Sequence, residues 1–410
     1  MTELRSQIPA LTVETRAVEP FGSLLPLLDA QHPLLFVRRG EGVAGLGEAL
    51  RLEFRGPDRV REAAETWRRI VAAATIDDPV QRSGSGLIAF GAFGFADDSE
   101  RASVLIVPRV ILGRRGGVSW VTRIDGAGDA VTAEPLGPEY RLRLHPGRLD
   151  GDAYAAAVRQ AVARIDEGSL HKVVLARDMV GHLPQTADLR RVLMHLALSY
   201  PDTWTFAVDR FLGSSPETLV RVKRGTVSAR VLAGSIGRGA DADADHAAAV
   251  RLATSTKDLD EHGYAVRSVV QALAPHAPHI AASEMPYALK LPNLWHLASD
   301  VEGTLSDGST SLDLVAELHP TAAVAGTPRS AALELIHELE PSDRGLYGGP
   351  VGWVDAAGDG KWAVALRSAE VSEEGDIRAF AGAGIVAGSD PEHELAETRL
   401  KFRPVVEAFG

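Results

Sequence analysis

Short apolar runs recur through the first 150 residues of the chain, and Gly, Pro and Arg turns separate them. Runs of this kind, bounded by turn residues, are typical of β-strands, and their close succession favours antiparallel pairing over strand–helix–strand units. Residues 1–150 are therefore predicted to form a β-rich portion of the fold. Its strands are expected near residues 34–37, 87–90, 103–107 and 118–121.

Beyond residue 150, stretches with a helical period alternate with strands. Helices are predicted where apolar residues recur at helical spacing: 152–165, 246–273, 311–318 and 329–339. Strands are predicted where short apolar runs meet turn residues: 172–177, 203–208, 217–222, 227–231 and 294–298, followed by a three-strand meander at 349–354, 362–371 and 377–386. The pattern indicates an α+β fold with large, mainly antiparallel sheets and helices packed on them, in which 151–410 is the second portion.

The meander leads into a glycine-rich stretch and then a helix near the end of the chain. Gly382 and Gly384 are interpreted as part of a bend with exposed backbone N–H groups. Ser389 or Asp390 can cap the helix, and Pro391 suits its first turn. Three charged residues of this helix recur at i, i+3 and i+7 and so share one face: Glu394, Glu397 and Lys401.

Composition narrows the classes of function. The net charge is −12, which argues against binding to nucleic acid or to an anionic membrane. The chain has no Cys, so thiolate nucleophiles and zinc–thiolate sites are excluded. No run of about 18 apolar residues occurs, and residues 1–6 lack the apolar core of a signal peptide, so a cytoplasmic protein is expected. An anionic substrate would need a local positive feature.

The glycine pattern at residues 40–45 is not interpreted as a dinucleotide-binding loop. Gly40, Gly42 and Gly45 have the spacing of a dinucleotide-binding loop, but residues 48–54 continue with strand-like alternation and not with a helix. Residues 40–45 are therefore interpreted as a turn.

A second carboxylate pair lies in the predicted helix 246–273. Asp258 and Glu261 are three residues apart, as are Glu394 and Glu397. Four carboxylates brought together repel one another unless a hard cation such as Mg²⁺ lies between them. The alternative is two unrelated solvated faces, and the spacing alone leaves both open.

Lys172 and Glu217 are candidates for acid–base chemistry. Lys172 adjoins an almost uninterrupted apolar strand, and Glu217 follows a turn and opens another strand. A buried amine can act as a base and a protonated carboxyl as an acid. A surface lysine at a strand end and an ordinary strand-start glutamate are the alternatives.

Several weaker candidates could contact an anion. Gly234 and Ser235 form a small-residue bend like that at Gly382 and Gly384. Arg367 is flanked by apolar residues and should face an acid or an anionic ligand, because a buried unpaired charge is costly. Tyr347 and His296 are candidates for ligand contacts or for structural hydrogen bonds.

Taken in order, these segments resemble the chorismate-utilising enzyme family, which includes isochorismate, salicylate, anthranilate and aminodeoxychorismate synthases. The similarity is dense over residues 150–408. The number and order of the matching segments carry it: 172–177, 215–217, 232–235, 257–262, 294–297, 319–326, 344–349, 365–368, 382–386 and 394–398.

The resemblance implies a site as well as a fold. It implies Mg²⁺ held by Glu261 and Glu397, with Asp258 and Glu394 nearby, in part through water. The metal would anchor the ring carboxylate of chorismate, assisted by backbone near Gly234 and Ser235. The enolpyruvyl carboxylate would be held by Tyr347, Arg367 and N–H groups from Gly382 to Gly384, and His296 would line the ring.

Single positions then favour one member of the family. Relatives that add ammonia lack a lysine at the position of Lys172, so water is the expected nucleophile here. Ala233 stands where aminodeoxychorismate synthases often carry a nucleophilic lysine. Ala323, which adjoins the substrate in this comparison, favours isochorismate synthase over salicylate synthase. We expect a monomeric enzyme that serves menaquinone or siderophore biosynthesis; a salicylate synthase and a non-catalytic chorismate-binding relative are the alternatives.

Overall fold

A computed structural model describes residues 9–128 and 131–410; the N-terminal segment 1–6, considered above for a signal peptide, lies outside this range. None of the helices in the described ranges is long and apolar enough to cross a membrane. The described chain folds into two large sheets with helices packed around them, so the predicted α+β class with mainly antiparallel strands is confirmed. A short 3-10 turn is formed by Leu25–Leu27.

The strands in the described ranges, numbered along the chain, are β1 (Thr12–Val18), β2 (Leu34–Arg38), β3 (Glu41–Leu46), β4 (Leu50–Phe54), β5 (Thr75–Asp77), β6 (Ile88–Ala92), β7 (Ser103–Val107), β8 (Val110–Arg115), β9 (Val118–Ile124), β10 (His145–Pro146), β11 (Lys172–His182), β12 (Trp204–Val208), β13 (Phe211–Ser215), β14 (Thr218–Lys223), β15 (Thr226–Gly237), β16 (Ala281–Ala282), β17 (Tyr287–Lys290), β18 (Leu294–Thr304), β19 (Gly326–Thr327), β20 (Pro350–Asp355), β21 (Gly360–Val364), β22 (Ser368–Val371) and β23 (Asp376–Val386). The α-helices are α1 (Arg59–Ala73), α2 (Gly151–Asp166), α3 (Arg190–Ser199), α4 (Ala242–Thr254), α5 (Thr256–Leu273), α6 (Ser311–Leu318), α7 (Arg329–Leu339) and α8 (Pro391–Phe409).

The first sheet has the strand order β10-β11-β23-β22-β13-β12-β2-β3-β8-β9-β1-β5, with β19 beside β11. The second has the order β16-β18-β15-β14-β21-β20-β6-β7-β4, with β17 beside β18. Strands from before and after residue 150 therefore lie in both sheets. The division of the chain at residue 150 stays a prediction, but the two portions share their sheets and one large core cluster.

That core cluster lies between the sheets, with Phe36 and Trp120 from the first and Phe90 and Trp353 from the second. A smaller cluster packs α3 and α8 against the other face of the first sheet. Burial of such aromatic side chains is the main stabilising contribution in a fold of this size.

The predicted long helix at 246–273 is wrong in one respect, because Ser255 divides it into α4 and α5. Ser255 has extended backbone angles, and its side chain accepts a hydrogen bond from the N–H of Asp258 as the N-cap of α5. A serine that can cap competes with helix continuation, and here capping prevails. The new helix start brings Asp258 and Glu261 into the first two turns of α5.

The predicted meander is also wrong, because residues 362–371 do not form one strand. β21 ends at Val364 in the second sheet, and β22 begins at Ser368 in the first. The chain crosses between the sheets at residues 365–367, where Arg367 adopts a positive φ of 51°. The crossing places the side chain of Arg367 between the sheets.

Two glycine-rich segments are strands: 377–386, predicted as a strand but with a bend at Gly382 and Gly384, and 41–46, predicted as part of a turn. Gly382 and Gly384 lie within β23, opposite Ala176 and Val174 of β11. Residues 41–46 form β3, and the turn is confined to Arg39 and Gly40, both with positive φ. In both segments strand neighbours on the sheet supply hydrogen-bond partners that local sequence does not reveal.

Gly113 supports a test of the packing. It lies opposite Trp120 in the β8–β9 pair, and a Cβ atom at Gly113 would come within 1.9 Å of the fully buried indole. We expect Gly113→Ala to lower the free energy of unfolding by about 1–3 kcal/mol through overpacking. Urea denaturation measures the change. Gly22→Ala is the control, because nothing lies within 4 Å of its Cβ position; equal stability of the two variants would contradict the packing.

Candidate active site

A small enclosed cavity lies where β11, β15 and β23 meet the crossing at residues 365–367. Its volume is about 50 Å³, which is room for one or two water molecules. A ring-bearing ligand must therefore displace surrounding side chains to enter. The lining includes these residues expected from the sequence: Glu217, Gly234, Ser235, Glu261, His296, Ala323, Tyr347, Arg367, Gly382 and Gly384.

Larger grooves lie elsewhere on the chain, including one of about 760 Å³ and one of about 1120 Å³. The smaller cavity is where the carboxyl of Glu217, the imidazole of His296 and the guanidinium of Arg367 converge, all three buried. Convergent buried titratable groups indicate a functional site more specifically than volume does.

Lys172 begins β11 and is completely buried. Its Nζ lies 3.1 Å from Oε1 of Glu261, but the geometry is not that of a hydrogen bond, and Nζ has no hydrogen-bond partner within the described residues. A buried amine with unsatisfied donors is costly unless a ligand completes its contacts. Gly384 makes the approach possible, because a Cβ there would come within 2.2 Å of Glu261 Oε1 and 3.1 Å of Lys172 Cε.

Glu217 lies just before β14 and is buried. Burial raises the pKa of its carboxyl to about 8, although the charges of Lys172 and Arg367 and a hydrogen bond from the Leu232 backbone act in the opposite direction. The carboxyl is therefore largely protonated at neutral pH. It meets the requirement for a proton donor.

The four acids expected at a metal lie on two helices, Asp258 and Glu261 on α5 and Glu394 and Glu397 on α8. Burial and the charges of Glu261 and Glu397 raise the pKa of Asp258, while burial and Glu397 raise that of Glu394. These mutual effects show that the two helices bring their carboxylates into electrostatic contact. Asp258 also lies beneath Gly234, where a Cβ atom would be 3.1 Å from that of Asp258.

Lysines neutralise three of these acids. Besides the contact between Lys172 and Glu261, Lys257 Nζ donates to Glu394 Oε1 at 2.7 Å, and Lys401 lies 2.5 Å from Glu397 Oε1. Burial acts to raise the pKa of Glu397, but Lys401 and a hydrogen bond from Ser235 lower it to about 2.

The four acids form a candidate site for a divalent cation. In residues 9–128 and 131–410, no three carboxylate or imidazole side chains are already grouped closely enough to hold one. The donor set nevertheless suits Mg²⁺, since it consists only of carboxylate oxygens that repel one another. Binding would require these carboxylates to exchange lysine partners for the cation.

Arg367 and His296 form a pair inside the cavity. Arg367 Nη2 donates to His296 Nε2 at 3.2 Å, and His296 Nδ1 lies 3.3 Å from the carbonyl oxygen of Gly234. Because Nε2 accepts, the imidazole is the neutral Nδ1–H tautomer. Burial, and then Arg367, lower the pKa of His296 to about 3. Arg367 is itself buried and forms no ion pair with a carboxylate in the described chain, so it is available to an anionic ligand.

The backbone near Gly382 forms a further part of the cavity lining. β23 pairs with β22 only as far as Phe380, and beyond it the same edge faces the cavity. The Gly382 carbonyl on this edge accepts a hydrogen bond from Lys401 Nζ at 2.9 Å. Tyr347 stacks on Phe380 with ring centroids 5.4 Å apart. The cavity is thus bordered by an aromatic face, a free strand edge and an unpaired guanidinium.

Several residues have structural roles that were not predicted from the sequence. Lys257 and Lys401 hold the acids of α8, and His262 contacts the Ala233 carbonyl and Ser299, which fixes the bulge at Gly234. The placement of Lys401 on the face of Glu394 and Glu397 was a signal that could have identified it. Lys172 and Glu217 lie where acid–base partners are expected, but their roles stay predictions.

Comparisons with known proteins agree with this architecture. A family model described as "Chorismate binding enzyme" matches residues 2–125 and 131–410. Isochorismate synthase DhbC of Bacillus subtilis is 42% identical over 289 residues, covering 68% of this chain and 72% of the relative. Isochorismate synthase MenF of the same organism is 31% identical over 402 residues, covering 90% and 85%. A crystal structure of a 2,3-dihydroxybenzoate-specific isochorismate synthase, DhbC from Bacillus anthracis, superposes with a TM-score of 0.79 at 32% identity, covering 94% of this chain and 98% of that one.

The raised pKa of Glu217 predicts a pH-dependent stability. The carboxyl ionises near 4.5 in the unfolded chain and near 8 in the folded one, so its contribution is fully present below pH 4.5 and is lost as pH rises to 8. Glu217→Gln cannot ionise, and we expect it to gain on the order of 3 kcal/mol over the wild type between pH 5 and pH 8. Urea unfolding of both proteins at the two pH values measures this. A constant difference would contradict a protonated Glu217.

Proposed function

This chain belongs to the chorismate-binding enzyme family, and we propose that within it the chain is an isochorismate synthase. The chain is an enzyme of the chorismate-utilising family, as its curated relatives are. The proposed reaction adds water at C2 of chorismate and removes the C4 hydroxyl. The ring double bonds shift, and no oxidant or reductant is needed.

One observation carries this proposal: the buried, protonated carboxyl of Glu217 lines the cavity, and the completely buried amine of Lys172, with unsatisfied donors, lies 3.1 Å from Glu261 of the same lining. Lys172, unprotonated when it acts, would take a proton from the attacking water. Glu217 would donate a proton to the departing hydroxyl. Together they supply the base and the acid that an exchange of one hydroxyl for another requires.

The cationic and hydrogen-bonding groups that line the cavity would suit chorismate, which carries two carboxylates. Arg367, Tyr347 and the free strand edge at Gly382 and Gly384 would hold the enolpyruvyl carboxylate. The backbone around Gly234 and Ser235 would assist with the ring carboxylate, and His296 and Ala323 would border the ring. The neutral imidazole adds no charge beside the guanidinium, so Arg367 keeps its full attraction for the ligand.

The acids of α5 and α8 would hold Mg²⁺, Glu261 and Glu397 directly and Asp258 and Glu394 in part through water. When bound, the ion supplies positive charge that anchors the ring carboxylate. Glu261 contacts Lys172 through Oε1, so a cation bound by this carboxylate would compete with the lysine for its negative charge. Engagement of Glu261 elsewhere would leave the lysine amine without its ion-pair partner and free to contact water.

Two features favour an isochorismate synthase over the other members of the family. Lys172 provides a base that water needs and ammonia does not, and Ala323 leaves the site without the hydroxyl expected of a salicylate synthase. The enzyme is proposed to act as a monomer. Isochorismate made here would enter menaquinone or siderophore biosynthesis.

Product identity tests the proposal. Purified protein mixed with chorismate and Mg²⁺ should yield isochorismate by chromatography. Lys172→Ala and Glu217→Gln should each reduce turnover by about 10²-fold or more, because each removes one proton transfer. Lys223→Ala, at an exposed lysine at the opposite end of β14 from Glu217, should retain activity. Salicylate with pyruvate would indicate a salicylate synthase, and binding without turnover would indicate a non-catalytic relative.

Metal binding can be tested without turnover. We expect Mg²⁺ at about ten times its Kd to raise Tm by about 1–3 °C, because it binds only the folded chain. Glu261→Gln should abolish this increment. Glu392→Gln, on the exposed side of α8, is the control and should keep it. Equal increments in both variants would exclude Glu261 as a ligand.

A further inference from the structure

A group of basic side chains lies between the two sheets, apart from the cavity described above. Arg38 and Arg115 end β2 and β8 of the first sheet, and Arg221 and Lys361 are cross-strand partners in β14 and β21 of the second. Arg38 Cζ and Lys361 Nζ lie 5.5 Å and 5.3 Å from the ring centre of Trp204, so that indole marks the point where the two sheets bring their cations together. We call these four residues the basic chamber.

None of the four side chains forms a hydrogen bond or an ion pair with another part of the described chain. Nε of Arg38 and Nε of Arg221 are buried without a hydrogen-bond partner. Lys361 is only 6% exposed. Buried donors are almost always satisfied in native proteins, so each of these atoms lacks a contact that the fold itself does not provide.

The acids closest to the chamber are engaged with other groups. Asp202 pairs with Arg39, and Asp300 holds Arg230 by two hydrogen bonds. Carboxylate oxygens of two further acids accept backbone N–H groups of Gly116 and Arg224: those of Glu41 and Asp359. Positive charge therefore exceeds negative charge in the chamber, in a protein whose net charge is −12.

Other buried arginines of this chain have the partners that the chamber lacks. Arg190 is held by Asp188, Arg344 by Glu340, and Arg59 by Asp97 and backbone carbonyls. Two exceptions outside the chamber form no ion pair: Arg177, which donates to Thr398, and Arg367, which we assign to a substrate carboxylate. Arg123 also has a buried Nη1 without a hydrogen-bond partner. In the chamber, two such donors, Nε of Arg38 and of Arg221, lie near two further basic groups that have no ion-pair partner, which indicates a second site for negative charge.

We propose that the basic chamber binds a small multivalent oxyanion, bearing phosphate or carboxylate groups, between the two sheets. Such an anion would satisfy the open guanidinium donors and offset the repulsion among these basic groups. Burial, together with Arg115 and Arg221, lowers the pKa of Lys361 to about 6, a shift that a bound anion would reverse. Arg115 also borders a surface groove of about 420 Å³, which provides an approach.

The test is ligand-induced stabilisation of the full chain, measured with inorganic phosphate, sulfate and malonate against potassium chloride of equal ionic strength. We expect the multivalent anions to raise Tm by several degrees in the wild type. Calorimetry should show at least a tenfold weaker affinity in Lys361→Met and in Arg221→Met; two variants guard against the failure of one to fold. Comparison of phosphate with malonate shows which oxyanion class the chamber prefers.

Two control variants distinguish binding in the chamber from binding to a neighbouring charge or in the cavity. Arg39→Met removes one positive charge next to the chamber at a residue already paired with Asp202, and should bind as the wild type does. Arg367→Met removes the candidate carboxylate site of the cavity and should keep the anion response. Stabilisation that is lost in Arg367→Met but unchanged in Lys361→Met and Arg221→Met would overturn the proposal, as would the absence of any anion-specific stabilisation.

Discussion

The antiparallel pairing of β11 with β23 is the constraint on which the candidate site depends. It runs without a break from the Lys172–Val386 pair to the His182–Asp376 pair. It sets Lys172 beside Gly384, and the absence of a side chain at Gly384 lets Glu261 of α5 reach the same point. α8 follows β23 directly and brings Glu394 and Glu397. A register shift of one residue would turn Lys172 to the opposite face of the sheet and separate these groups.

Local structure was predictable where the signals were local. α6 and α7 were located to the residue, since apolar periodicity marks both and a capping box of Thr310 and Asp313 starts α6. The division of α4 from α5 was missed because Ser255 is compatible with either a helix interior or a cap. The transfer of the chain between sheets at Arg367 could not be read from residues 362–371, since it depends on which distant strands compete for pairing.

The candidate site shows the same contrast between features that follow from local sequence and features that depend on distant residues. Residue types with distinctive chemistry in order along the chain, such as the two acidic pairs and Lys172, predicted the members of the candidate site, and their roles stay predictions. Their present partners were not predictable, because the contacts of Lys172 with Glu261 and of Lys257 with Glu394 join residues remote in sequence. Burial of Glu217 is likewise a property of the packed sheets and not of its turn. The environment of Lys361 and Arg221 was not predictable either. The alternation of residues in β14 and β21 predicts strands, but it does not indicate that these basic side chains lack partners.

The interleaving of early and late strands affects how the chain can be made. β11 emerges from the ribosome about 200 residues before β23, its neighbour on one side, and β2 and β12 are similarly separated. During synthesis these apolar strands have exposed edges that could pair with other chains. The first sheet cannot be completed until β23 has left the exit tunnel, and its long-range contacts slow folding. The apolar edges of its early strands therefore stay open to other chains until the last strands have been synthesised.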